Sequence, residues 1–229
     1  MQAYSTKYKY IIVWSAKSGC TLFRQLFLYL HKNELKKEPT NQWHSLERDF
    51  PISGNINDIK KIILCRNPYY RVVSMFCNKY CGGTVAVLPK KFNLSKCTFR
   101  EFVKQLKIFK DKGNLNKIDC HIEEQKYYDS NSYIVKIENF NESIKDAYIK
   151  MNLKNLIPEI DEFLKKEICI NKTKRRNLNN DYVYDKLYTV NSTDFPDYKY
   201  FYDKELIELV YQIYKSDFIN FNYDKNPPF

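Results

Sequence analysis

Two short stretches carry residue types that could bind and move a charged group. The first runs Tyr10-Ile11-Ile12-Val13-Trp14, then Ser15-Ala16-Lys17-Ser18-Gly19-Cys20-Thr21, then an apolar-rich segment from Leu22 to Leu30. It reads as a buried strand, a tight polar turn and a helix. A helix N-terminus presents N–H groups with no intrahelical acceptor and the positive end of the helix dipole, which together attract an anion. Lys17 adds a mobile full charge, Gly19 allows close backbone approach, Thr21 offers a hydroxyl, and Arg24 lies one helical turn on. The lysine precedes the glycine, so this is not the Gly-x-x-x-x-Gly-Lys-Ser/Thr loop that wraps a triphosphate. A turn this short suits a single phosphate or sulfate group. By itself the pattern is equally a strand-to-helix turn with an incidental lysine.

The second stretch is Arg66-Asn67-Pro68-Tyr69-Tyr70-Arg71-Val72-Val73-Ser74, directly after the apolar run Lys61-Ile62-Ile63-Leu64-Cys65. Arg66 is thereby placed at the C-terminal end of a strand, where parallel α/β sheets bind ligands. Ser74 falls about two helical turns on, facing the same side. An Arg–Ser pair can grip a second phosphate through a guanidinium fork and a hydroxyl. Arg71 reads as a surface cation, and Tyr69 and Tyr70 as core packing.

The elements that must position these residues repeat a strand–loop–helix order. Strands are expected at 10–14, 61–65 and 132–137, with helices at 20–32, from Pro68 to the Gly82-Gly83 pair, and from about Asn141. That order predicts an α/β fold, a parallel sheet flanked by helices. Thr98-Phe99-Arg100-Glu101 has the form of a capping box opening a helix to about Lys110. Pro158 opens a short helix to about Glu167, and Asp203 caps another carrying Leu206, Leu209, Val210 and Ile213. Residues 82–97 read as a basic loop, and His31 as a cation closing the first helix. With no repeat and no linker, residues 1–229 are expected to form a single domain.

Composition narrows the partners. A net charge of +11 favours polyanions, although a lysine-rich chain is also simply well solvated. The 7 cysteines are odd in number and include no Cys-x-x-Cys pair; Cys77 and Cys81 lack the second pair a zinc site needs. No metal is expected, and the thiols read as reduced, with Cys20 and Cys65 buried. No stretch approaches the ~18 apolar residues of a membrane span. The first strand lies close to Met1, so neither leader nor anchor is expected and the location reads as cytoplasmic.

Taken together, the two motifs resemble those of the sulfotransferases that use 3′-phosphoadenosine-5′-phosphosulfate (PAPS). The carbohydrate branch, acting on glycosaminoglycan and HNK-1-type glycans, is the most similar. Its first loop, Pro-Lys-x-x-Cys-Thr-x-x-Lys/Arg, is matched by Ala16-Lys17-Ser18-Gly19-Cys20-Thr21-Leu22-Phe23-Arg24. Its second motif is matched from Arg66 through Ser74 to Asn78-Lys79. Three further matches follow in the family's order: His121-Ile122-Glu123-Glu124-Gln125, Tyr133 to Glu138, and Tyr214-Lys215-Ser216-Asp217-Phe218 to Tyr223. Ala16 stands where the family has proline, and Asn67 where it has an acid. The membrane anchor of the animal members has no counterpart here.

The resemblance implies the sulfotransferase fold and sulfuryl transfer from PAPS to a hydroxyl, here of a glycan, with 3′-phosphoadenosine 5′-phosphate as product. It implies that Lys17, Ser18, Gly19, Cys20, Thr21 and Arg24 bind the 5′-phosphosulfate, with Lys17 on the bridging oxygen. Arg66 and Ser74 would hold the 3′-phosphate. A late basic loop closes over the nucleotide in such enzymes, which points to Lys172, Thr173 and Lys174, although the run 171–176 also reads as a solvated charge cluster. The acceptor's proton needs a base. His44, between the two cofactor motifs where a related branch keeps its base, is favoured over His121, with Glu123, Glu124 and Glu138 as further candidates. Two other functions fit less well. A small nucleotide kinase lacks its lysine–serine loop and a magnesium carboxylate, and a nucleic-acid-binding protein lacks any RNA-binding motif.

Overall fold

The computed structural model describes residues 1–34, 55, 59–82, 87–93, 95–127, 132–166 and 181–229. The chain forms two compact units, Met1–Arg66 with Gln125–Asn171, and Asn67–Glu124 with Lys172–Phe229.

The first unit is built on a four-stranded sheet in the order β1 (Gln2–Ser5), β2 (Tyr10–Trp14), β3 (Lys60–Cys65), β5 (Ser132–Lys136). β2, β3 and β5 run parallel, with Ile12 opposite Ile62 and Ile62 opposite Tyr133. The α/β reading therefore holds. Every residue of β2 and all but the first of β3 are buried, as expected of parallel strands covered on both faces. Helices α1 (Cys20–His31), α6 (Phe140–Lys150) and α7 (Ile157–Lys165) supply Phe23, Phe27, Ile144, Tyr148 and Ile160 to a core shared with Tyr10, Ile12 and Trp14.

The antiparallel strand β1 was not expected. It pairs Gln2 with Val13 and Ser5 with Tyr10 around a turn of Thr6 to Lys9. That turn has no Asn-Gly or Asp-Gly pair, the strongest local hairpin signal. His31 also differs from expectation. It stands in the last turn of α1, but its ring is buried rather than capping in solvent. Its Nε2 lies 2.5 Å from the Tyr10 hydroxyl and its Nδ1 3.4 Å from Ser5 Oγ.

The second unit is largely helical: α2 (Pro68–Met75), α3 (Leu88–Phe92), α4 (Phe99–Asp111), α5 (Leu115–Ile118), α8 (Lys204–Ile213) and α9 (Lys215–Asn220). Asn67 caps α2 by accepting from the Tyr69 N–H at 3.0 Å, so an uncharged residue performs the cap an acid would supply. After Met75 the helix widens into a π-type turn, Phe76–Tyr80. The capping box opens α4: Glu101 N–H donates to Thr98 Oγ1 at 3.1 Å and Thr98 N–H to the Glu101 carboxylate at 2.7 Å. Asp203 caps α8 through the Leu206 N–H.

The stretch 82–97 is not all loop. It holds α3 and the start of β4 (Lys96–Thr98), which pairs antiparallel with β6 (Leu187–Thr189). The core of this unit is aromatic, with Phe76, Phe99, Phe102, Tyr188 and Phe201 in mutual edge or stacked contact. The six described cysteines form no disulfide with one another. Cys65 is buried as expected, but Cys20, the first residue of α1, is only partly so.

Candidate functional site

The turn between β2 and α1 is conformationally unusual. Lys17 has φ +68° and Gly19 φ +91°, both in the left-handed region. A lysine there is strained by about 1–2 kcal/mol, and such strain persists only where the surroundings enforce it. Gly19 is required twice. Besides its φ, a Cβ at this position would lie 2.6 Å from Cδ1 and 2.9 Å from Cγ1 of Ile137. The first helical bond runs from the Phe23 N–H to the Gly19 carbonyl at 3.3 Å, so the N–H groups of Cys20, Thr21 and Leu22 have no intrahelical acceptor. Lys17, Gly19, Cys20, Thr21 and Arg24 are all partly exposed, whereas Ser18 is buried. Burial lowers the pKa of the Arg24 guanidinium, with nearby Cys20 pulling the other way.

Arg66 directly follows β3 in the same unit. Its Nη1 donates to the Lys17 carbonyl at 3.1 Å, so the two cations are held by one loop backbone. Gln125 ties this arrangement together. Its Oε1 accepts from Ser18 Oγ at 2.7 Å and from the Arg66 N–H at 2.9 Å, and its Nε2 donates to the Arg66 carbonyl at 2.9 Å. The next residue, Lys126, donates its N–H to Ser15 Oγ at 2.9 Å. The sequence flagged Gln125 only as the end of a family-like motif. Nothing in its spacing from Ser18 or Arg66 signals contact.

In the second unit, Ser74 is a partly exposed residue of α2. Arg71 is not a surface cation. It is fully buried, 3.7 Å from the Asp217 carboxylate, with its guanidinium 5.6 Å from the Tyr214 ring centroid and Nη2 3.5 Å from the His121 carbonyl. Tyr214 donates its hydroxyl to the Ile122 carbonyl at 2.9 Å. Tyr69 is core, as expected, while Tyr70 is partly exposed against Tyr198 and Phe229.

His121 is partly exposed, with Nδ1 2.5 Å from Asp119 Oδ1. A carboxylate beside Nδ1 orients the ring, and with the proton on Nδ1 it is Nε2 that can accept one. Burial alone would raise the Asp119 carboxyl, but hydrogen bonds from His121 and Lys91 outweigh it and hold it well below the usual carboxylate range. Asp119, Cys120 and His121 place three ligating atoms within 4.8 Å of one another. Lys91 Nζ sits 2.8 Å from the same carboxylate and opposes a cation there.

Glu124 is similarly engaged. Burial would raise its carboxyl, but Lys110 and Ser216 more than offset this and lower it, which makes it a weak base. Glu123 is partly exposed and Glu138 exposed. His44, Lys172, Thr173 and Lys174 lie outside the described residues. No helix among the described residues is long and apolar enough to cross a membrane.

A family model described as the sulfotransferase family matches residues 3–224. No curated protein and no solved structure matches the chain.

Proposed function

The chain belongs to the sulfotransferase family, and from that premise we propose that it transfers the sulfuryl group of PAPS to a carbohydrate hydroxyl, residues 1–229 acting as one catalytic domain. The observation that carries the donor assignment is the left-handed turn at Lys17 and Gly19, opening onto the N-terminus of α1 with Arg66 bonded to its backbone. Such a turn offers backbone donors and a lysine, with a glycine whose left-handed conformation turns those donors to one side. These are the groups that a 5′-phosphosulfate needs.

When bound, PAPS supplies the sulfuryl group and departs as 3′-phosphoadenosine 5′-phosphate. Lys17, with the N–H groups of Gly19, Cys20 and Thr21, holds the 5′ end and neutralises the charge that grows on its phosphate. Arg24 adds positive potential from the next turn, and Ser18 fixes the loop from within. Arg66 and Ser74 are assigned to the 3′-phosphate, the group that distinguishes this nucleotide from ATP. Lys172, Thr173 and Lys174 are assigned to covering the nucleotide.

In-line sulfuryl transfer resembles phosphoryl transfer, in which positioning and charge neutralisation dominate. The acceptor's proton goes to a histidine. His44 is supported by its place between the two motifs, and His121 by its carboxylate partner Asp119. Turnover of His44→Ala and His121→Ala separates the two: the base is the one whose loss lowers kcat by about 100-fold or more. Near-normal rates in both would remove histidine from the mechanism. The acceptor class is tested by presenting ³⁵S-labelled PAPS with glycosaminoglycans, neutral glycans, tyrosine peptides and small phenols. Label on the glycans supports the carbohydrate assignment, and label confined to peptides or phenols refutes it.

A further inference from the structure

We infer that Gln125 is a positioning residue that sets the shape of the anion loop through both polarities of its side-chain amide. The inference rests on the reading of that loop as the 5′-phosphosulfate site. Gln125 is 5% exposed, and its side-chain amide makes directed hydrogen bonds to Ser18 and Arg66. On one side it accepts from Ser18 Oγ; on the other it makes a two-point bond to the backbone of Arg66, accepting the N–H and donating to the carbonyl. The Arg66 pair fixes which end of the amide is which, because a flipped amide would set donor against donor and acceptor against acceptor.

Ser18 stands between Lys17 and Gly19, the two residues in left-handed conformation. Its side chain is buried and its hydroxyl proton is directed at Gln125, so it is the point at which the strained turn is tied down. Arg66, at the other end of the same amide, donates to the Lys17 carbonyl. One side chain thus fixes the loop holding Lys17 to the strand end holding Arg66. A residue able only to accept, or only to donate, cannot make both sets of bonds.

The glutamate variant tests this, because Gln125→Glu keeps the shape and makes the polarity depend on pH. An ionised carboxylate accepts from Ser18 and the Arg66 N–H but faces the Arg66 carbonyl with a second acceptor. A protonated one donates there and reproduces the amide. Burial raises a carboxyl's pKa, which brings the transition into a usable range.

The measurement is the affinity of the full chain for 3′-phosphoadenosine 5′-phosphate by titration calorimetry, wild type against variant. At about pH 8 the variant is expected to bind on the order of tenfold or more weakly, and at about pH 5.5 the gap should close to within roughly threefold. A gap that is absent, or the same at both pH values, overturns the inference, since loss of packing alone has no pH dependence. If Gln125→Glu does not fold, Ser18→Ala serves instead. It removes the Ser18 bond to Gln125, and the inference expects weaker nucleotide binding with a cooperative melt retained; unchanged affinity overturns it. Failure of the wild type to bind the nucleotide would instead refute the site's proposed function.

Discussion

Replacing Gly19 by alanine perturbs two separate features of the turn between β2 and α1. The first is conformational: at φ +91° an L-residue carries a penalty of about 1–2 kcal/mol. The second is steric. The new Cβ would approach Ile137 Cδ1 to 2.6 Å and Cγ1 to 2.9 Å, well inside contact distance. Overpacking of this kind costs about 1–3 kcal/mol. The sum, about 2–5 kcal/mol, is a large part of the stability of an ordinary domain.

Urea unfolding reads it as a lower midpoint at unchanged slope. Ile137→Val tests the steric share, because it removes Cδ1, the atom approached most closely. Alone it should cost about 0.5–1.5 kcal/mol. Combined with Gly19→Ala, it should leave the protein about 1–2 kcal/mol more stable than the two single effects added together. A Gly19→Ala protein within about 0.5 kcal/mol of wild type would refute the reasoning for both features, and strict additivity would refute the clash.

Two other perturbations read the second unit. Removing one member of the buried Arg71–Asp217 pair, by Asp217→Asn or Arg71→Met, should destabilise by about 3–5 kcal/mol, because the partner charge is left buried. An urea midpoint near that of wild type would show that the pair is not needed. Asp119 gives a pH signature: its folded pKa is depressed, so its contribution is fully present above the ordinary carboxylate range and is lost as pH falls towards the folded value. The stability gap between wild type and Asp119→Asn should be largest near neutrality and shrink as pH drops below about 4. A gap independent of pH would contradict the ion-pair assignment.

What the sequence revealed and what it hid divide along physical lines. Local signals held: Pro68 at a helix start, the Thr98–Glu101 capping box, the Asp203 cap, and apolar runs for β2 and β3. Each depends on residues within a few positions of one another. The unread features are pairings across long sequence separations. Arg71 looks like a surface cation until Asp217 is folded against it. His31 looks like a helix-end cation until Tyr10 and Ser5 enclose its ring. Gln125 meets Ser18 and Arg66 only in the folded sheet. Strand β1 is short and its turn lacks the usual hairpin residues. The strand–turn–helix around Lys17 was legible as a motif, while the strain at Lys17 and the contact that forbids a side chain at Gly19 belong to the tertiary structure.

The assignment of the two motifs to the two ends of one nucleotide is tested most directly by comparing affinities for 3′-phosphoadenosine 5′-phosphate, 5′-AMP and ATP by titration calorimetry. A charge-assisted fork from Arg66 to the 3′-phosphate should favour the bisphosphate over AMP by about tenfold or more. Arg66→Met should abolish that preference; because Arg66 Nη1 also donates to the Lys17 carbonyl, AMP binding should weaken too, but by less than binding of the bisphosphate. Equal affinity for the bisphosphate and AMP, or a preference for ATP, would contradict the assignment.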